Sequence, residues 1–337
     1  MRDRARQIID GIGDSNVIII SHWDTDGLCS AVKLWGYLGR ETDLYTPPIG
    51  RYDIPGDEVD IFDGYDYIIV TDIAMPGRTI SRLSEYAASY VLVIDHHYHP
   101  DRGDAIYVDY KMPNGLNFYS NTLLIDDLLG LEGDIITALG LVGDYKHEVK
   151  NTELYGWVRD IAYREGLSIE DLYRLTLLID SNHIVNDREA VYRAAHTIYE
   201  YRDSIPKLLD NDEWISKYNS IEEAIERVVG EASPDDSIVY HRFSSRYYII
   251  SKVGRRLSSI YRGKVVILVN DGFDDSYDQV YIRISGGGDV FPLIGEGKRR
   301  GYICGGKWNV AGFIVPKRES MGFIEYIMGW VKANLVG

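Results

Sequence analysis

The sequence predicts an α/β protein with an N-terminal parallel-sheet domain, a helical connector and a smaller C-terminal α/β domain. Three observations carry this. Short apolar runs such as "NVIII" (16–20) and "YVLVI" (90–94) lack polar alternation, which marks strands covered on both faces. Segments with helical spacing separate those runs. The length of 337 residues suits two domains better than one core.

Along the chain, "NVIII" reads as a strand and "LCSAVKLWGYL" (28–38) as a helix. "DYIIV" (66–70) is a strand, "RTISRLSEYAA" (78–88) a helix, and "YVLVI" and "AIYV" (105–108) further strands. "SNTLLIDDLLG" and "DIITALGLVGD" then read as helices, which closes a first domain at 1–150. Residues 151–232 read as the helical connector, with Thr, Ser and Asp in cap-like positions. The turn-rich "ASPDD" (232–236) sets the next boundary. Within 233–337, "SIVYHRF", "KVVILVN" and "QVYIRIS" are strands and "YIISKVGRRLSSIY" is a helix. The domain continues through two glycine-rich loops, "SGGGD" and "CGGK", to a last helix near "MGFIEYIMGWVKANL".

Hydrophobic residues make up 45% and charged residues 26%, as in ordinary globular proteins. Two cysteines, Cys29 and Cys304, make no disulfide framework, so a reducing cytoplasm is the expected location. The N-terminal "MRDRARQIIDGIG" lacks an apolar signal core, and no run is long enough to span a bilayer, so no membrane partner is expected. A net charge of −16 disfavours passive binding of long nucleic acids, whose affinity comes mainly from phosphate neutralisation.

The strand ends carry the chemistry. Ligand crevices in open α/β sheets form at the carboxyl ends of strands. The first strand ends in His22, Asp24 and Asp26, the second in Asp72, and the third in Asp95, His96 and His97. Asp144 follows an apolar run in "LGLVGDYKH". One such Asp is more often a helix cap than a ligand. Together, if the strands are neighbours, they crowd like charges, and divalent cations resolve that conflict. Mixed Asp and His donors suit Mn²⁺, with Mg²⁺, Co²⁺ or Fe²⁺ as alternatives, and two cysteines cannot build a thiolate site.

"SHWDTDG", "VTDIAMP", "VIDHHYHP" and "GLVGDYKH", in that order, resemble the four motifs of the DHH phosphoesterase superfamily. That superfamily includes RecJ-type exonucleases, oligoribonucleases that also cleave pAp, cyclic-dinucleotide phosphodiesterases and family II pyrophosphatases. The resemblance implies a DHH domain holding two divalent metal ions. It implies that His22 and Asp24 bind one ion and Asp26 the other. Asp72 would bridge both, with His96 and Asp144 completing the shells. It also implies that His97 touches the substrate phosphate or the attacking water, and that Asp95 orients an imidazole. Two cations about 3.5–4 Å apart would activate a water for in-line attack on phosphorus.

"CGGKWNVAG" (304–312) resembles the GGGH-x-x-AAG signature of the DHH-associated C-terminal domain, and "YIRIS" the arginine strand before it. Cys304, Lys307 and Val310 depart from that signature. Arg283, Gly305, Gly306 and Lys307 are the implied substrate-binding residues: glycines admit a phosphate to the backbone, and the cations hold it. "GKRRG" (297–301) reads as solvated surface or a second phosphate contact. His99 and His147 lie near the motifs, and "SNT" (120–122) reads as a helix cap or a substrate contact.

The expected function is metal-dependent hydrolysis of a short single-stranded oligonucleotide or a nucleotide phosphate. The alternatives are a RecJ-like single-strand exonuclease and a non-catalytic replication-associated scaffold. Replication or repair partners and the oligomeric state stay open, as do the preferred sugar and the direction of cleavage.

Overall fold

A computed structural model describes residues 2–335 except Pro113 and Gly287, so the centre of "SGGGD" lies outside the described residues. The chain forms two compact units. The first comprises Met1–His183 and Asp187–Lys217, and the second Ile184–Asn186 and Tyr218–Gly337.

In the first unit, α1 (Arg2–Asp10), β1 (Val17–Ser21) and α2 (Thr25–Leu38) lead to β2 (Asp43–Tyr45). Then come β3 (Tyr67–Thr71), α3 (Gly77–Leu83), β4 (Tyr90–Ile94), β5 (Ile106–Tyr107), α4 (Asn121–Leu129) and α5 (Ile135–Tyr145). The strands form a wholly parallel sheet in the order β2-β1-β3-β4-β5. That order reverses direction at β1, so the topological switch point lies at the carboxyl ends of β1 and β3. β1 is buried throughout, as are the last four residues of β3 and β4, because Val and Ile pack well against helices on both faces. Each such side chain contributes roughly 1.5–3 kcal/mol relative to exposure.

Helices α6 (Tyr155–Arg164), α7 (Ile169–Ile184) and α8 (Arg188–Glu200) do not form a free-standing connector. α8 packs on α2, where the Trp35 and His196 rings lie 5.0 Å apart. The expected connector, 151–232, is instead divided between the units within α9 (Asp212–Glu231). Two short elements differ from expectation. α3 ends at Leu83 rather than 88, and β2 has only three residues, too few to show a period.

In the second unit, β6 (Ile238–Phe243), α10 (Ile250–Ile260), β7 (Val265–Asn270) and β8 (Tyr277–Arg283) precede α11 (Phe291–Arg299). β9 (Ile303–Lys307), β10 (Val310–Pro316) and α12 (Lys317–Asn334) complete it. The sheet order is β6-β7-β8-β10-β9, parallel only between β6 and β7. Ile282, Ala311 and Phe313 pack one face against Leu293, Phe323 and Ile327. Leu268 and Tyr281 pack the other against Ile225, Val253 and Leu257. "CGGK", expected as a loop, is the edge strand β9, because β10 supplies its hydrogen-bonding partner. No described helix is long and apolar enough to cross a membrane.

Candidate metal centre

The strand ends of β1, β3 and β4 and the end of α5 bring His22, Asp24, Asp26, Asp72, Asp95, His96, His97 and Asp144 together. Their donor atoms form three groups, each with all members within 4.8 Å of one another: His22, Asp24 and Asp72; Asp26, His96 and Asp144; and Asp72, Asp95, His96 and His97. Asp72 belongs to the first and third groups, and its Oδ1 lies 3.3 Å from His96 Nε2.

Each donor is held from behind. Asp24 is the N-cap of α2 and accepts from Gly27 N at 3.2 Å, so one residue serves both the cap reading and the cluster. Gly27 must be glycine, since a Cβ there would lie 2.4 Å from the His22 carbonyl oxygen. Asp26, fully buried, accepts from Asn121 N at 2.7 Å and from Thr122 N and Oγ1 at 3.2 and 3.1 Å. Thus "SNT" caps α4 and also fixes Asp26 at that helix's positive end. A Cβ at Gly140 of α5 would lie 2.4 Å from Asp26 Oδ1, so this glycine lets α5 close over the site.

His96 Nδ1 lies 3.1 Å from the Phe118 carbonyl, which only accepts, so Nδ1 carries the proton. Nε2 is therefore a free lone pair, 3.3 Å from both Asp72 Oδ1 and Asp144 Oδ2 and 4.0 Å from Asp26 Oδ2. Asp95 accepts from the His97 backbone N at 3.0 Å and contacts His97 Nδ1 at 2.8 Å and His99 Nε2 at 2.9 Å. His97 keeps a half-exposed ring beside the cluster. Asp72 adopts φ +55°, unusual for a residue with a side chain; such strain concentrates at functional sites.

The electrostatics point the same way. Burial pushes the carboxyls of Asp26, Asp72 and Asp144 upward; their acidic neighbours add to it, and Asp144 reaches about 10. Burial also works against Asp95, but hydrogen bonds with His97 and His99 outweigh it and hold that carboxyl well below its usual range. His22 does the same for Asp24. His22 Nε2, His96 Nε2 and Asp72 Oδ1 are buried with no hydrogen-bond partner. Lone pairs without donors among crowded carboxylates fit divalent cations, and the oxygen and imidazole donors suit Mn²⁺ or Mg²⁺.

A family model described as the DHH family, N-terminal domain, matches residues 16–123. This segment is a DHH domain. The strand end Asp95-His96-His97 is the tripeptide of that name. Among solved structures, the chain is similar to RecJ with Mn²⁺ from Thermus thermophilus, with a TM-score of 0.71 and 15% identity. The match covers 98% of this chain and 55% of that one, so the chain spans about half the length of that RecJ. It is also similar to the DHH domain of a protein assigned to a family of ribosomal proteins (TM-score 0.73, 13% identity, 98% and 90% covered). A pGpG-specific phosphodiesterase from Vibrio cholerae aligns at TM-score 0.50 and 15% identity, with 95% and 99% covered. At these identities the likeness shows a shared fold alone. No curated protein matches the chain.

Two supports of the DHH domain escape a reading of the sequence. Phe118 acts through its backbone, which leaves no mark in residue type. Asp180 of α7, buried, accepts from Thr25 N at 3.1 Å and Thr25 Oγ1 at 2.7 Å, and its other oxygen lies 3.7 Å from Lys146 Nζ. Thr25 sits between Asp24 and Asp26, and Lys146 two residues past Asp144. The one signal is a carboxylate inside the apolar run "TLLIDSN". His99 reaches Asp95, whereas the His147 ring lies tilted against Tyr173, with centroids 3.7 Å apart.

In the second unit, Arg283, Val310 and Lys307 pair in one row across β8, β10 and β9. Side chains opposite one another share a face, so both cations lie on one side. The next row on that face is Tyr281, Gly312 and Gly305. A Cβ on Gly305 or Gly312 would meet nothing within 4 Å, leaving bare backbone beside the two cations. Gly306 lies in the intervening row, opposite Ala311. Its Cβ position faces the other way, where a Cβ would lie 2.0 Å from the Val310 carbonyl oxygen. In "GKRRG", Arg299 and Arg300 both pair with Glu296, at 2.7 and 2.6 Å, which removes them as free phosphate contacts.

Proposed function

We propose that the protein is a metal-dependent phosphodiesterase acting on short single-stranded oligonucleotides or nucleotide phosphates. The observation that carries this reading is the set of buried, unpartnered donors, His22 Nε2, His96 Nε2 and Asp72 Oδ1, among carboxylates from three strand ends. His22, Asp24, Asp26, Asp72, His96 and Asp144 would hold two divalent cations. Those cations would supply an acidified water and shielding of phosphate charge.

The chain's own residues do the rest. Phe118, Asn121 and Thr122 fix the donors so that little reorganisation accompanies the reaction. Asp95 holds His97 by Nδ1 and leaves its other nitrogen for a phosphate oxygen or the attacking water. Arg283, Lys307 and the bare backbone at Gly305 bind a substrate phosphate. The net charge of −16 favours short substrates over long strands.

The alternatives are a RecJ-like exonuclease and a replication-associated scaffold. Intact Asp and His at every donor position argue against a scaffold. The assay is hydrolysis of end-labelled short RNA, short DNA, pAp and pyrophosphate with Mn²⁺. Cleavage of the short oligomers or pAp, abolished by chelation, is the expected outcome. Turnover of pyrophosphate alone, or of nothing, would refute the proposal.

A further inference from the structure

The second unit contains a cavity that the proposed reaction does not use. It has a volume of about 550 Å³ and lies where β6 and β7 end; Arg227, Ser244, Ser245, Arg246 and Tyr247 line it. β6 and β7 are the parallel pair of this sheet, with Phe243 opposite Asn270 at their carboxyl ends. Carboxyl ends of parallel strands are where ligand crevices form. Arg283 pairs instead with Val266, four residues back along β7 and so about 13 Å away.

The loop is built rather than loose. Asn270, fully buried, accepts from Ser245 N at 2.9 Å and Gly272 N at 3.3 Å, and its amide nitrogen reaches Gln279 Oε1 at 3.2 Å. Tyr247 N donates to Ser245 Oγ at 3.1 Å. Gly272 closes against this turn, since a Cβ there would lie 2.3 Å from Ser244 Oγ. Two arginines line the cavity, Arg227 from α9 and Arg246 from the loop. Neither has a carboxylate within ion-pair distance among the described residues, although Glu223 of the same cavity lies one turn from Arg227. Arg246 instead lies over the Tyr247 ring, 5.4 Å from its centroid. Arg256, in the same unit, is by contrast neutralised by Glu222 at 2.9 Å.

We infer that this cavity is a second anion site, which takes a phosphate monoester, such as a nucleoside monophosphate, between the forks of Arg227 and Arg246 and the Ser244 hydroxyl. Two fork-shaped cations match a phosphate dianion better than a carboxylate. The volume falls within the range of small-molecule sites and exceeds what free phosphate needs. The inference does not depend on the catalytic reading, because none of these residues is a proposed metal donor.

Calorimetric titration of the full chain in EDTA tests it, with AMP, inorganic phosphate and adenosine as probes. AMP should bind, phosphate more weakly, and adenosine not at all. In an Arg283→Ala/Lys307→Ala background, which removes the phosphate contacts proposed above, AMP should still bind, and adding Arg227→Glu with Arg246→Glu should weaken it at least ten-fold. Both arginines are exposed, so the variant should fold, and a circular-dichroism melt checks this. AMP binding unaffected by adding Arg227→Glu with Arg246→Glu, binding already lost in the Arg283→Ala/Lys307→Ala background, or no binding by the wild type would each overturn the site. Phosphate binding as tightly as AMP would remove the nucleotide and with it the ligand class stated above.

Discussion

The strand ends of the first sheet and the β9 edge of the second handle charge in opposite ways. In the first, Asp26 and Asp72 are buried beside one another and beside Asp144. In the second, Arg283 and Lys307 stand beside backbone that Gly305 and Gly312 leave bare. A buried cluster of like charge stores free energy until a counter-ion arrives, whereas an exposed cationic edge stores little. The first should therefore govern stability and turnover together, and the second affinity alone.

The largest effect should come from Asp72→Ala. Turnover should fall to about a thousandth or less, the loss expected when several kcal/mol of charge stabilisation disappears. The metal-free protein should fold, with a melting temperature equal to or above that of the wild type, because an unpaired buried carboxylate has gone. Added Mn²⁺ should no longer raise that temperature. A variant that keeps its activity would remove Asp72 from the centre.

Acidity should expose the same stored energy. The carboxyls of Asp26, Asp72 and Asp144 are raised above 3.8 in the fold. Between that value and the raised ones, the folded chain keeps protons that the unfolded chain has released. Stability in EDTA should then fall as pH rises from about 5 to 8. Saturating Mn²⁺ should lift and flatten the curve, by about 2.7 kcal/mol at a hundred-fold excess over Kd. Chemical denaturation at several pH values, with and without the ion, measures both. A metal-free curve that climbs with pH would contradict the shared burial of the three carboxyls.

What the sequence disclosed follows the same division. Runs such as "VIIIS" and "YVLVI" declare buried parallel strands because β-branched residues crowd them, and acids just past them mark the crevice. The donors are legible because residue type is their chemistry. Their supports are not. Phe118 holds His96 by a carbonyl that any residue possesses. Asp180 lies 155 residues from Thr25, and the helix that carries it reads as part of a connector. β9 reads as a loop because glycines weaken strand patterns, and only its pairing with β10 reveals the strand.

Asp180 permits a sharper, smaller test. Asp180→Ala leaves the Thr25 N–H and hydroxyl without their acceptor, at a cost of about 1–3 kcal/mol. The affinity for Mn²⁺ should drop about 10- to 100-fold, as when groups behind metal ligands are lost. Activity should recover at high Mn²⁺, and Asp180→Asn, which keeps one acceptor oxygen, should restore most of the affinity. Unaltered ion binding in the alanine variant would reduce Asp180 to a packing residue.

The smallest effect should lie on the second face. Lys307→Ala should raise KM about ten-fold and leave kcat within a factor of two, since the interaction holds substrate and transition state alike. Gly305→Val tests the bare backbone separately, because its side chain projects into open space and need not disturb the fold. It should raise KM in the same way without removing any charge, so its effect should persist at high salt while that of Lys307→Ala shrinks. If kcat fell instead in either variant, this face would share in the chemistry, and the division between a metal centre that reacts and a second unit that binds would not hold.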